Sequence, residues 1–240
     1  MTGMIEEMVE LISKYCSPGP PAMRQIESKD PDILQYYRQW GFTIYRTYYG
    51  LGSDEAWSML LYALRHQTKL AFGYYDGRED ADQRDVDILK NLFYLNAYAD
   101  PSLLDGLDVQ GIRKFCQHEN ADDNRVMSDS LHDYVLLADE SVLKDVSKRE
   151  FVLKAVSLNW VRGHPGWGWI RIPTGYLLDL WQLLMLNSMR TEFAIDFDGP
   201  EGDLDDYVWP GDMALNNTGS SSEIRRFREH YSGQYPNRSY

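Results

Sequence analysis

The chain has little cysteine and no long hydrophobic run, and each absence excludes a class of protein. Only two of its 240 residues are cysteine, Cys16 and Cys116, and their spacing fits neither a CxxC motif nor a zinc site, which excludes a disulfide-rich or zinc-stapled module. No window approaches the ~18 apolar residues of a membrane span. Acidic residues interrupt the apolar ones at the N-terminus, so no export signal is visible. We therefore expect a reduced, cytoplasmic protein without membrane association.

Basic residues are also scarce. The chain has 24 Lys and Arg against 37 Asp and Glu, a formal net charge of −13. This balance argues against nucleic acid and anionic lipid as partners, because both are held mainly by Lys and Arg. Residues 74–87 and 191–212 together carry −12 of that charge. The rest of the chain is therefore nearly neutral, and the search for a site belongs there.

The hydrophobic pattern predicts one α+β domain with an extension at each end. Period-2 or continuous apolar segments predict four strands, at 41–50, 134–138, 151–158 and 167–172. Period-3.6 segments predict helices over 4–15, 54–66 and 108–118, with another after Pro173. Residues 69–75 are expected to be a short extended segment, and residues 88–98 fit both periods poorly, so the sheet is expected to have four to five strands. The expected fold is a two-layer sandwich of a mostly antiparallel sheet with helices on one face, and a ferredoxin-like order is allowed.

Composition places the boundaries of this domain. The expected units are an N-terminal amphipathic helix with a proline-rich arm (1–32), the α+β domain (33–190), and an acidic, partly disordered C-terminal tail (191–240). Aromatic residues of the tail, among them Phe197, Tyr207 and Trp209, offer a way for it to dock on the domain.

One dense motif resembles a known group of proteins. The chain reads WGFTIYRTYYG from Trp40 to Gly50, followed by Ser53-Asp54-Glu55-x-Trp57, with a later Trp167-Gly168-Trp169-Ile170 segment. These segments are similar to a family of uncharacterised proteins from filamentous fungi, over roughly 37–186. The resemblance implies a fungal, intracellular protein and gives a faint link to secondary metabolism. It implies no reaction and no catalytic residue.

Arg46 is the first candidate site residue, because it falls on the apolar face of a predicted strand. A buried Arg needs a partner, since an isolated charge is too costly to bury. The structural interpretation is an ion pair with a core carboxylate such as Asp139 or Glu140, or exposure at an edge strand. The functional interpretation is a clamp for a substrate carboxylate or phosphate.

Asp139 is the second candidate, because Asp139 and Glu140 end a buried strand where side chains often reach a cleft. Paired acids can perform acid–base chemistry. Adjacent strand residues point to opposite faces, however. The structural interpretation is therefore that Asp139 caps the helix that follows and pairs with Arg46.

The segment from Trp160 to Trp169 is the strongest functional hint, since it holds three of the seven tryptophans between glycines. Such a loop can build a stacking pocket for a sugar or a flat metabolite from Trp167 and Trp169, with Arg162 and His164 as polar contacts. The structural interpretation is a hairpin loop whose tryptophans cover the end of the sheet.

No cofactor or metal is predicted. The five histidines are scattered, and no P-loop, GxGxxG or GxSxG motif is present. Two functions remain. The first is a non-catalytic interaction or accessory protein with an unknown protein partner. The alternative is a small-molecule-binding protein or a cofactor-free enzyme (an isomerase, cyclase or hydrolase), which predicts that Arg46 and at least one of Trp167, Trp169 or His164 converge in a concave pocket.

Overall fold

The structure is a computed structural model. It describes residues 3–14, 39–79, 81–118, 133–164, 166–186, 197 and 199–209. No helix within these ranges is long and apolar enough to span a lipid bilayer.

The described chain contains seven α-helices and five strands. The helices are α1 (Met4–Lys14), α2 (Ser53–Ala71), α3 (Gln83–Leu92), α4 (Pro101–Leu104), α5 (Val109–His118), α6 (Glu140–Ser147) and α7 (Leu177–Leu186). The strands are β1 (Trp40–Arg46), β2 (Phe93–Tyr98), β3 (Tyr134–Ala138), β4 (Val152–Ser157) and β5 (Trp169–Pro173). Short 3₁₀ turns lie at Phe72–Tyr75, Thr174–Tyr176 and Glu201–Asp203.

The five strands form one sheet in the order β2–β1–β3–β4–β5. The strand β1 is parallel to both of its neighbours, β2 and β3. The two pairings on the other side of β3, with β4 and then between β4 and β5, are antiparallel. The sheet is therefore mixed, with the parallel strands at one end and an antiparallel meander at the other.

Helices cover both faces of the sheet because its central strand is apolar on both sides. In β3, Tyr134, Leu136 and Ala138 belong to the large core formed with α1, α2, α3, α6 and α7. Val135 and Leu137 face the opposite way and join a smaller core with α5. All five residues are buried, and a strand buried on both faces needs a layer on each of them.

The predicted α+β sandwich is confirmed, with two refinements. Half of the strand pairings are parallel, since chain segments that carry helices connect β1 to β2 and β2 to β3. Most helices lie on one face, as expected, but α5 covers part of the other. The sequence also allowed a ferredoxin-like variant; in the observed order, β1 has parallel partners on both sides.

Both extensions contribute residues to the folded body. The N-terminal helix α1 buries Ile5, Met8 and Ile12 in the large core, while residues 15–32 of the predicted arm lie outside the described residues. Part of the predicted tail, 199–209, runs along the edge strand β5. Its Val208 forms a parallel bridge with Arg171, and the Trp209 amide donates to the Arg171 carbonyl at 2.7 Å. The rest of the tail beyond 209 also lies outside the described residues.

Candidate functional site

A groove of about 820 Å³ opens on the α5 face of the sheet. Its floor is formed by Lys154 of β4 and Trp169 of β5, and Asp139 lies at the end of β3. Its walls come from three segments: the start of α5 at 108–110, the β4–β5 loop at 160–167, and Glu201 of the C-terminal segment. The volume falls within the range of roughly 300–1,000 Å³ that small-molecule sites occupy.

Lys154 is a buried cation on the floor of this groove. Its side chain is only 7% exposed, and its Nζ lies 2.8 Å from a carboxylate oxygen of Asp139 and 2.8 Å from one of Asp205. The ammonium group also lies 4.4 Å from the centre of the Trp169 ring, which is a cation–π contact. Two carboxylates and an indole therefore compensate for the loss of water around the charge.

Asp139 links this cation to the helix that follows it. One of its oxygens accepts from the Val142 amide at 3.1 Å and from the Ser141 hydroxyl at 2.8 Å, and the other faces Lys154. Burial by itself would raise the pKa of this carboxyl group. The Lys154 charge and the hydrogen bonds outweigh burial, so the pKa of Asp139 lies below its ordinary value. Asp139 is thus a helix cap and a fixed anion in the groove.

The β4–β5 loop depends on glycines to present its tryptophans. Gly163, Gly166 and Gly168 all have positive φ angles, a region that residues with a Cβ rarely adopt. A Cβ at Gly168 would lie 2.3 Å from the Trp160 ring and 2.4 Å from an Arg113 nitrogen. The absent side chain is therefore what lets Trp160 and Arg113 meet beside the loop.

Arg113 of α5 holds this loop against the sheet. It is 4% exposed, and its Nε donates to the Ser157 carbonyl at 2.8 Å. One of its terminal nitrogens donates to the Gly168 carbonyl at 2.7 Å. Its guanidinium carbon lies 5.0 Å from the centre of the Trp160 ring, and burial lowers the pKa of the group. The two ends of the loop are thereby tied to one side chain outside it.

The C-terminal segment supplies the last wall. The Trp167 indole Nε1 donates to the Gly199 carbonyl at 3.1 Å, and Glu201 lines the groove two residues later. Asp205 pairs with Lys154, and its carbonyl accepts from Arg171 at 2.6 Å. Acidic residues of the predicted tail are therefore part of the site.

Four of the six predicted site residues meet in this groove: Asp139, Arg162, Trp167 and Trp169. Arg46 does not. It lies on the other face of the sheet, where it donates to the Ser53 hydroxyl at 2.8 Å and pairs with Asp54 at 2.5 Å. The expected ion pair with Asp139 or Glu140 was wrong, because Arg46 follows the period of β1 towards α2. His164 is exposed at the tip of the loop and does not line the groove.

The observed partner of Asp139 is Lys154, which the sequence reasoning missed. Lys154 interrupts the apolar run from Val152 to Val156, the same signal that singled out Arg46 in its strand. Arg113 was also missed, because it lies on the predicted buried side of an amphipathic helix without any motif around it. Asp108, Gln110 and Glu201 carried no local signal for this site, since separate segments bring them together.

Comparisons with protein-family models, curated proteins and solved structures gave no match. The site must therefore be interpreted from its own chemistry. Within the described ranges, no three His, Cys, Asp or Glu side chains are grouped so as to hold a metal ion. What the groove offers is indole surface, carboxylates, an amide and two cations.

Proposed function

We propose that the protein binds a small, polar molecule with a flat apolar face in the groove between α5, the β4–β5 loop and the C-terminal segment. The observation that carries this proposal is the convergence of Trp160, Trp167 and Trp169 with charged groups in one concave space. Indoles give large rigid contact surfaces, and a few placed polar groups fix the orientation of a ligand.

The charges of the lining favour a ligand that is neutral or zwitterionic. Three carboxylates, Asp108, Asp139 and Glu201, face two cations, Lys154 and Arg162. Two carboxylates already compensate the charge of Lys154, so it does not attract an anionic ligand. A saccharide or a nucleoside fits this balance, because each combines an apolar face with hydroxyl or amide groups.

The same contacts favour binding over covalent catalysis. An amine nucleophile must be free to reach its target, whereas Lys154 Nζ lies 2.8 Å from carboxylate oxygens of both Asp139 and Asp205. Burial raises the pKa of Asp139, but the Lys154 charge and the hydrogen bonds bring that pKa below its ordinary value. Lys154 and Asp139 therefore act as fixed charges that shape the groove, which supports the ligand-binding form of the small-molecule function.

The proposal is tested by titrating neutral saccharides and nucleosides while recording tryptophan fluorescence and melting temperature. A ligand at 100 times its Kd is expected to stabilise the protein by about 2.7 kcal/mol. Arg162→Ala and Glu201→Gln should weaken binding without lowering stability, since both side chains are exposed. The control Tyr62→Ala changes an exposed aromatic residue outside the groove. A response that survives both groove variants would refute this site.

The interaction function, with an unknown protein partner in a fungal, cytoplasmic setting, stays a prediction, as does the link of the small-molecule function to secondary metabolism. It assumed that the acidic tail is free to meet a basic partner. Residues 199–209 instead lie on β5, with Asp205 paired to Lys154. Deleting residues 191–240 distinguishes the two functions. If the segment forms part of the groove, the melting temperature should fall clearly. If the tail is free to bind a partner, the deletion should abolish partner binding and leave the stability unchanged.

A further inference from the structure

The solvent-facing side of α2 carries a second site of a different kind. Tyr62 and His66 stack on each other, with ring centres 5.6 Å apart and planes 10° from parallel. Shallow depressions of about 400 and 480 Å³ lie on either side of this pair. We call this region the α2 patch; it comprises the Tyr62–His66 pair with Met59, Arg65, Lys69 and Arg149.

The α2 patch exposes apolar surface that the fold does not use. The Tyr62 side chain is 69% exposed, although the core side of the same helix is fully buried at Leu60 and Leu64. Met59 and Phe151 lie half-buried beside it. Exposed aromatic surface next to shallow depressions is a common feature of protein-recognition sites.

The charge of the patch is opposite to that of the protein. Arg65, Lys69 and Arg149 line the two depressions, and none of the described residues lining them is acidic. The whole chain carries −13, so three cations lining two adjacent depressions stand out against the net charge of the chain. Such complementarity steers an oppositely charged partner and suppresses binding of others.

Arg149 is placed there at a cost to the backbone. Its φ angle is +71°, in the left-handed region. The Arg149 amide donates to Val146 O and the Glu150 amide donates to Asp145 O, the pair of bonds that ends a helix with a left-handed residue, usually glycine. The arginine at this position projects a guanidinium to Met59 Sδ at 3.2 Å, beside the exposed rings.

We propose that the α2 patch docks an acidic peptide segment of another protein, with an apolar side chain seated beside Tyr62 and carboxylates paired with Arg65 and Arg149. A nucleic acid is disfavoured, because its affinity grows with the number of phosphates neutralised and the area offers three cations on a strongly acidic protein. A second copy that docked symmetrically through the same patch would bring the same cations together and repel itself.

Fluorescence anisotropy with a labelled peptide tests this docking. The peptide alternates Glu and Asp with Leu and Phe, and its counterpart has Gln and Asn in place of the acids. The acidic peptide should bind more tightly, and its binding should weaken with rising salt. The double variant R65A/R149G should weaken it about tenfold, as expected for the loss of two exposed ion pairs. Tyr62→Ala should weaken both peptides.

The matched control is Lys114→Ala, which removes one exposed cation from α5 on the opposite face. It should leave peptide affinity unchanged. Equal binding of the two peptides, or an unchanged affinity in R65A/R149G, overturns the proposal. So does a single-stranded oligonucleotide that outcompetes the peptide, or a dimer in sedimentation velocity that Tyr62→Ala dissociates.

Discussion

Replacing Arg113 by methionine should detach the β4–β5 loop, which forms one wall of the groove, and lower the free energy of unfolding. Arg113 touches the β4–β5 loop only through backbone carbonyls and the Trp160 ring. Methionine keeps much of the apolar stem but donates no hydrogen bond. The substitution therefore removes the polar attachment of the loop while disturbing the packing of α5 as little as the choice of residue allows.

The expected loss can be estimated from the contacts. Two hydrogen bonds, of 2.8 and 2.7 Å, join the guanidinium to Ser157 and Gly168. A third, to Trp167, is 3.4 Å long and is not counted. Hydrogen bonds to charged groups contribute roughly 1.5–3 kcal/mol each. Because the variant also recovers the cost of burying a cation, we expect a net loss of about 2–3 kcal/mol.

This loss corresponds to a fall in melting temperature of roughly 5–10 °C for a chain of this size. Urea unfolding followed by circular dichroism gives the free energy, and tryptophan fluorescence should show an indole more exposed to water in the folded variant. Lys114→Met is the control, since the neighbouring side chain is exposed. If R113M and K114M unfold within about 0.5 kcal/mol of each other, Arg113 does not hold the loop.

Three further predictions concern single positions. Gly168→Ala should lower the unfolding free energy by about 2–4 kcal/mol in urea titrations, because a Cβ at φ +69° would clash with the Trp160 ring; equal stability would show that the loop adapts. Asp139 has a lowered pKa, so its stabilising contribution is present above its ordinary pKa of 3.8 and fades as the pH falls below it. Asp139→Asn should therefore cost roughly 1.5–3 kcal/mol at pH 7 and progressively less below pH 3.8, and a constant difference across acid titration would contradict this. Arg149→Gly should raise the melting temperature by a few degrees, because glycine adopts φ +71° without strain; calorimetry that shows a decrease would mean that the Met59 contact outweighs the backbone cost.

Much of the fold could be predicted because several helices and strands follow a single hydrophobic period from end to end. The strand Tyr134–Ala138 was predicted with its observed bounds, and α1 and α5 within a residue of theirs. Each has one period and clear ends. In α5, for instance, Asp108 accepts a hydrogen bond from the Gly111 amide at 2.7 Å, as its position before the helix suggested.

The errors fall where two periods meet. Residues 69–75 were expected to be a short extended segment; α2 instead continues to Ala71 and passes into a 3₁₀ turn. Phe72 is fully buried there against Trp40, with ring centres 5.8 Å apart. In the ambiguous segment 88–98, α3 ends at Leu92 and β2 begins at Phe93 with no turn between them. Tertiary packing decided both segments.

The loop residues of the site could be predicted from the sequence, whereas the charged residues around the loop could not. Glycines between tryptophans are a local signal, and they led to Arg162, Trp167 and Trp169. The role of Lys154 depends on its ion pairs with Asp139 and Asp205, which are 15 and 51 residues away along the chain. No pattern within one element carries that information. A charged residue in a buried strand is the one local sign available, and it applies equally to Arg46, which lies on the other face of the sheet and pairs with Asp54.

The acidic C-terminal segment compensates two cations on the sheet, and its position there explains where the groove lies. Lys154 and Arg171 face each other across β4 and β5, and two cations directly opposite on one face repel. The helix α5 covers only the apolar part of this face, around Val135, Leu137 and Val156. An apolar helix over the remaining part would leave Lys154 without one of its two carboxylate partners and Arg171 without the Asp205 carbonyl. The segment 199–209 covers it instead, with Asp205 contacting both cations. The apolar helix α5 and the acidic segment 199–209 therefore cover adjacent parts of this face and leave a gap between them. The groove is that gap, so a ligand bound there contacts apolar and ionic surface at once.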